Sequence, residues 1–140
     1  MAWTQTHKNQ YQRDWGKSHP AQRLGARLRN KYDIVLSEYE RMETEQENRC
    51  KICHRPFESF QNNRSASPSV DHSHLCPNRA NHKNKSELGG CAECIRGVVC
   101  QQCNQVVVRF LELFPDRQTS AEREYMADRP ILQYRIEARE

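Results

Sequence analysis

Four cysteines constrain this chain more than any other feature. Cys50 and Cys53 form one C-x-x-C pair, and Cys100 and Cys103 form a second. Each pair can place two thiolates on one ion, and four thiolates close a tetrahedral zinc site. The first pair follows a helical pattern and the second opens one, so zinc there would tie two helices together. Metal matters because apolar material is scarce. Leu, Ile, Val and Phe supply only 24 of 140 residues, a share that by itself signals disorder or a core too poor to hold itself. Seven cysteines and six histidines offer stability from metal instead. An odd cysteine count suits a disulfide framework poorly. The N-terminus, MAWTQTHKNQ, lacks the apolar stretch of a signal peptide. A reducing compartment is therefore expected, where cysteine pairs bind metal more often than they form disulfides. The sequence holds no run of about 18 apolar residues, so no transmembrane helix is expected.

Three cysteines remain. Cys76, Cys91 and Cys94 lack a fourth ligand, and His82 lies between them. Together they predict a second structural zinc of the Cys3His type, with His74 as the rival ligand to His82. It would rigidify an irregular insertion over residues 75–94 that has little else to pack. A different pairing, of Cys91 and Cys94 with Cys50 and Cys53, is also open.

The net charge of +4 is unevenly spread. Residues 1–31 carry +6, residues 32–60 carry −3, residues 61–110 carry +3, and residues 111–140 carry −2. Basic charge thus collects in an N-terminal arm and in the Cys/His region, where a polyanion would be met. The alternative for the arm is a solvated, poorly ordered tail. Trp3, Tyr11 and Trp15 stand in it among Lys8, Arg13 and Lys17. Ser18 and Pro20 read as the cap and first turn of a helix. Ser37 and Glu40 read as a capping box for the next, with a stripe of Leu36, Tyr39, Met42 and Gln46 running to about residue 48. Strands are expected over residues 70–74 and 95–99. A helix over residues 102–114 would put Val106, Val107, Phe110, Leu111 and Phe114 on one face and end at Pro115. Thr119 and Glu122 cap a final helix that stops before Pro130.

Structural zinc explains neither Asp71 and His72 nor Asn104. A carboxylate and an amide oxygen are hard donors, suited to Mg²⁺ rather than zinc. An imidazole beside them suits a general base near neutral pH. Two strands would bring Asp71 and His72 opposite the start of the helix, where Asn104 follows a zinc ligand. The order CKIC at 50–53, DHSH at 71–74 and IRGVVCQQCN at 95–104 resembles the phage recombination endonuclease VII group of HNH, or ββα-metal, nucleases. The resemblance runs over residues 32–114.

It implies a small, zinc-stabilised α+β fold with a hairpin-helix (His-Me finger) core flanked by helices. With the charge and helix patterns, this divides the chain into a basic N-terminal arm or helix over 1–31, the nuclease domain over 32–114 and a C-terminal helical tail over 115–140. Cys50, Cys53, Cys100 and Cys103 would hold the structural zinc. Asp71 and Asn104 would ligate catalytic Mg²⁺ or Mn²⁺, His72 would be the general base, and His74 would face the scissile phosphate or shape the site. Three departures stand out: Ser73 replaces a second acidic residue, the 75–94 stretch is long, and the basic N-terminus lies outside the match. Arg96 reads equally as a phosphate contact or as a strand residue paired to a carboxylate. Lys8, Arg13 and Lys17 are the other candidate DNA contacts. His7 and His54 read as solvent-exposed.

The resemblance implies a metal-dependent DNA endonuclease that leaves 5′-phosphate and 3′-hydroxyl ends. Resolution of branched DNA, four-way (Holliday) junctions included, is the leading reading, with a homodimer as the matching partner state. The expected location is the cytoplasm of a phage-infected or bacterial cell. An HNH nicking, homing or packaging endonuclease on duplex DNA is the alternative. A zinc-stabilised DNA-binding module without catalysis is the second.

Overall fold

The described residues form two strands and six α-helices. The computed structural model describes residues 2–84 and 89–140; residues 85–88 of the expected insertion lie outside the described residues. The helices are α1 (Gln5–Ser18), α2 (Pro20–Tyr32), α3 (Leu36–Glu45), α4 (Val108–Leu113), α5 (Ser120–Ala127) and α6 (Pro130–Glu137). The strands are β1 (Pro68–His72) and β2 (Ile95–Cys100).

The arm is helical rather than an irregular tail. Thr4 caps α1 by accepting from the His7 amide, and of the helix's residues only Gly16 is buried. Its order comes from local hydrogen bonds and its junction with α2, not from a buried face. Pro20 opens α2 as expected, because a first-turn proline lacks only an amide that would have no partner. The N-cap, however, is His19, while Ser18 closes α1. At α3 the cap also shifts. Glu38 reaches back to the Val35 amide at 3.0 Å, so Val35 and Glu38 stand where Ser37 and Glu40 were expected.

β1 and β2 pair antiparallel, with Val70 opposite Val98 and Asp71 opposite Gly97. The register then slips, so that His72 faces Ile95. Arg96 is the extra residue of this bulge, and a bulge re-aims the side chain it inserts. The outer edge of β2 is covered by a side chain. Gln46 donates to the Val98 carbonyl at 2.7 Å and accepts from the Val98 amide at 3.0 Å. An edge strand is thereby closed without a third strand.

One face of the hairpin meets α2, α3 and α6. Leu28, Ile34, Met42, Ile95, Val98 and Ile131 are all buried there. Each such side chain contributes about 1.5–3 kcal/mol relative to exposure. The 115–140 segment thus adds Tyr125, Ile131 and Tyr134 to the buried interior, although most of its other residues are exposed or half-buried. Thr119 and Glu122 form the expected capping box of α5. Pro130, expected to lie beyond the last helix, instead starts α6, whose Ile131 and Tyr134 are buried.

The helix after β2 is not regular. Cys103–Val107 form a π-helical turn before α4. A π turn inserts a residue into the helical register, and the expected apolar face is rotated by it. Val108 and Leu111 are buried, whereas Val106 and Phe110 are exposed. No helix of the described residues is long and apolar enough to cross a membrane.

Candidate active site and metal centres

The cysteines assemble as two groups of four ligands. Cys50, Cys53, Cys100 and Cys103 form one, and Cys76, His82, Cys91 and Cys94 the other, with all ligand atoms of each within 4.8 Å of one another. Tetrahedral zinc with bonds of about 2.3 Å to sulfur sets sulfur–sulfur edges of about 3.8 Å. Cys53 and Cys100 lie 3.8 Å apart and Cys76 and Cys91 3.7 Å. A disulfide would need about 2.05 Å. His82 Nε2 stands 3.4 Å from Cys76 Sγ and 3.9 Å from Cys94 Sγ. Both groups fit zinc. His82 completes the second group, and His74 does not. The pairing of Cys91 and Cys94 with Cys50 and Cys53 does not occur. Burial, then the charges of Cys91 and Cys76, push the Cys94 thiol up to about 12. A bound cation reverses that, because it favours thiolates.

The second cluster touches the DHSH segment directly. The Ser73 amide donates to the Cys94 carbonyl at 2.7 Å. Gly90 donates to the Lys31 carbonyl at 2.9 Å. A Cβ at Gly90 would come within 3.1 Å of Cys94 Sγ and of the Tyr32 ring, and within 3.4 Å of His72 Cβ. A side chain at Gly90 would therefore force this loop, Tyr32 or Cys94 to give by a few tenths of an ångström.

Beside that loop, β1 and α4 frame an open cleft of about 940 Å³. His72, His74 and Asn104 line it, with Lys31 of α2 and Arg109 of α4 also on its walls. The His72 ring lies 5.6 Å from the Tyr32 ring and 5.0 Å from the His74 ring, centre to centre. Burial pushes the Tyr32 phenol up to about 12, so it stays neutral beside His72. Asn104 Nδ2 donates to Ser69 Oγ at 3.1 Å, which leaves its amide oxygen as the outward acceptor.

Asp71 lies one layer deeper, 1% exposed. Arg96 Nε donates to its Oδ2 at 2.8 Å and Arg96 Nη2 to its Oδ1 at 3.1 Å. The Tyr125 hydroxyl donates to Oδ2 at 2.5 Å. Oδ2 is saturated, and Oδ1 keeps one acceptor position. Arg96 cannot be the phosphate contact that one sequence reading gave it. It is 2% exposed, and its Nη2 also donates to the His72 carbonyl and to Glu112 Oε1. The carboxylate-paired reading holds.

Glu112 is a site residue that sequence reasoning missed. It accepts from Arg96 at 2.9 Å and from His74 Nδ1 at 2.7 Å. Burial alone would raise its carboxyl, but the hydrogen bonds from His74 and Arg96 outweigh burial and hold it below the usual range. Glu112 thus fixes the orientation of His74 and connects it, through Arg96, to Asp71.

The family model of recombination endonuclease VII matches residues 25–133. The chain belongs to the recombination endonuclease VII family. No curated protein and no solved structure gives a significant match. The endonuclease VII match begins within α2 and ends within α6, beyond the 32–114 span that the motifs carried. It therefore includes Lys31 on the cleft and Tyr125 beneath it. Endonuclease VII proteins are DNA nucleases, so the family implies DNA as the partner. Lys8, Arg13 and Lys17 lie outside the match on α1, and all three are exposed.

Proposed function

We propose that this chain is a metal-dependent HNH endonuclease that hydrolyses phosphodiester bonds in branched DNA, four-way junctions included. One observation carries the reading: His72, His74 and Asn104 converge in one open cleft between Lys31 and Arg109. Such a cleft attracts a phosphate electrostatically before any chemistry.

Asp71 and Asn104 would hold Mg²⁺ or Mn²⁺. Ser69 and Asp71 are one strand repeat apart on the same face of β1, and Asn104 bonds Ser69. Asp71 Oδ1 and the Asn104 amide oxygen are the hard donors left over, and a ligating carboxylate held by other groups, as Asp71 is by Arg96 and Tyr125, is the usual arrangement. When bound, the ion neutralises charge on the phosphoryl and leaving oxygens. His72 accepts the proton of a water as the water oxygen bonds to phosphorus. The bond from phosphorus to the 3′-oxygen breaks, giving a 5′-phosphate and, after protonation, a 3′-hydroxyl. Lys31 and Arg109 hold the flanking phosphates, and His74 is kept in place by Glu112.

The test is product mapping on an end-labelled four-way junction and on a linear duplex of the same sequence. Magnesium should be omitted by dialysis rather than removed with chelator, because a chelator would also strip structural zinc. Paired cuts near the branch point support the reading. Equal cutting of both substrates would favour a nicking or packaging enzyme on duplex DNA. Intact DNA throughout would leave a zinc-stabilised binding module.

A further inference from the structure

Beyond Lys31, α1 and α2 carry cationic and aromatic side chains that the catalytic reading does not use. On α2, Arg23, Arg27 and Lys31 recur at every fourth residue, which places them on one side of the helix. Arg23 and Arg27 are exposed, and Lys31 lines the cleft. No Asp or Glu occurs within α2. Among the described residues, none of the Lys and Arg side chains of residues 1–31 forms an ion pair. Like charges at this spacing destabilise a helix, so the ridge calls for an external anion. Its reach from Arg23 to Lys31 is about 12 Å, over which one DNA strand carries about three or four phosphates.

At the far end the ridge meets aromatic rings. Arg23 lies across α1 at Gly16, where an added Cβ would come within 3.0 Å of its Cδ. Next to it, the Trp15 ring stacks on His19, with centres 4.6 Å apart and planes 9° from parallel. Trp3, just before α1, forms an edge-to-face pair with Tyr11 of that helix. Trp3 and Tyr11 are each 56% exposed and Trp15 39%. Beside Lys8, Arg13 and Lys17, these rings pack on one another or on His19 and bury nothing in the core. Exposed aromatics interleaved with cations are what binds unpaired bases, since every base has a face to stack.

We infer that α1 and α2 together form a binding track for a single DNA strand, with Trp15, Tyr11 and Trp3 stacking on unpaired bases and Arg23 and Arg27 carrying the phosphates toward Lys31 and the cleft. The inference rests on the nuclease reading of the cleft for its direction. It also names the substrate feature, an unpaired strand next to the cut, that a perfect duplex lacks.

The chain's only two tryptophans are Trp3 and Trp15, so tryptophan emission, excited at wavelengths that tyrosine does not absorb, reports this surface alone. A short oligo(dT), added without magnesium, should quench that emission saturably, and a blunt duplex of equal length should quench it less. Trp15→Ala should weaken oligo(dT) binding about fivefold or more while leaving duplex affinity almost unchanged. Arg23→Ala with Arg27→Ala should flatten the dependence of log K on log salt by about 1.4, two phosphate contacts on a single strand. Zinc content should stay constant in each variant, because these side chains lie outside both clusters. No quenching by oligo(dT), or equal losses for duplex and single strand, would overturn the inference. So would a fall in sedimentation mass for Trp15→Ala, which would make the aromatic face an interface between copies of the chain. Cleavage without quenching sinks the track and spares the nuclease; quenching without cleavage does the reverse.

Discussion

Arg96→Met tests the buried charge network beneath the cleft. Arg96 and Asp71 are 2% and 1% exposed, so solvent screens their attraction little. Arg96 makes four hydrogen bonds: two to Asp71, one to the His72 carbonyl and one to Glu112. Methionine fills much of the same volume and donates none. Asp71 would then keep only the Tyr125 hydroxyl as a partner for a buried negative charge. Removing one member of a buried pair costs about 3–5 kcal/mol, which for a chain of this size lowers Tm by roughly 10–20 °C. Arg96→Lys should fall between, because an ammonium keeps the charge but cannot span both carboxylate oxygens. Asp71→Asn added to Arg96→Met should recover part of the loss, since it removes the stranded charge. The assay is urea unfolding followed by far-UV circular dichroism at one fixed zinc concentration. If Arg96→Met lies within about 1 kcal/mol of wild type, Asp71 is not confined as described and the network argument is wrong.

Other outcomes follow from the same geometry. Elemental analysis should find about two zinc ions per chain, dropping by one in Cys76→Ser and in His82→Ala; Cys50→Ser and Cys103→Ser should instead unfold the chain. His72→Ala should lower the cleavage rate by about 10²–10⁴ with junction affinity and circular dichroism unchanged, and Asn104→Ala should act in the same direction. Burial raises the Glu38 carboxyl, but hydrogen bonds from Arg135 and the Val35 amide outweigh it and hold the group below its ordinary value of 4.5. A lowered folded value means the stabilisation is complete above about pH 4.5 and is lost as pH falls through that lowered value. The stability difference between wild type and Glu38→Gln, measured by thermal melts, should therefore shrink as pH drops below that point.

Short-range patterns were legible in the sequence, and features set by register were not. The C-x-x-C pairs could be read because two thiols three residues apart need little tertiary context to share an ion. The Thr119–Glu122 box is local in the same way. The Val35–Glu38 cap was displaced because Ser37 is a better capping residue by type, yet the chain enters α3 at Val35. Arg96 could not be settled because its direction depends on a bulge opposite His72. The face of α4 was misread because the π turn at Cys103–Val107 breaks the period the reading relied on. Glu112 carried a usable signal, since Asn104, Val108 and Glu112 recur at every fourth residue, but only knowledge of His74's position gives it a role. Pro130 was read as a stop, although the same residue starts a helix when the chain turns before it.

On the proposed mechanism, the contact between the second cysteine cluster and the His72 segment would separate what keeps this protein folded from what keeps it active. Cys50, Cys53, Cys100 and Cys103 join the main elements, while Cys94 and Gly90 brace the strand end that carries His72, the proposed base. A preparation with half its metal would then melt, elute and bind DNA much like a full one, yet turn over slowly. Its specific activity would follow the occupancy of the Cys76–His82–Cys91–Cys94 group, not the fraction of folded chain. Oxidants that reach Cys91, the most exposed thiol of that group, would silence cutting while every conventional measure of protein quality stayed normal.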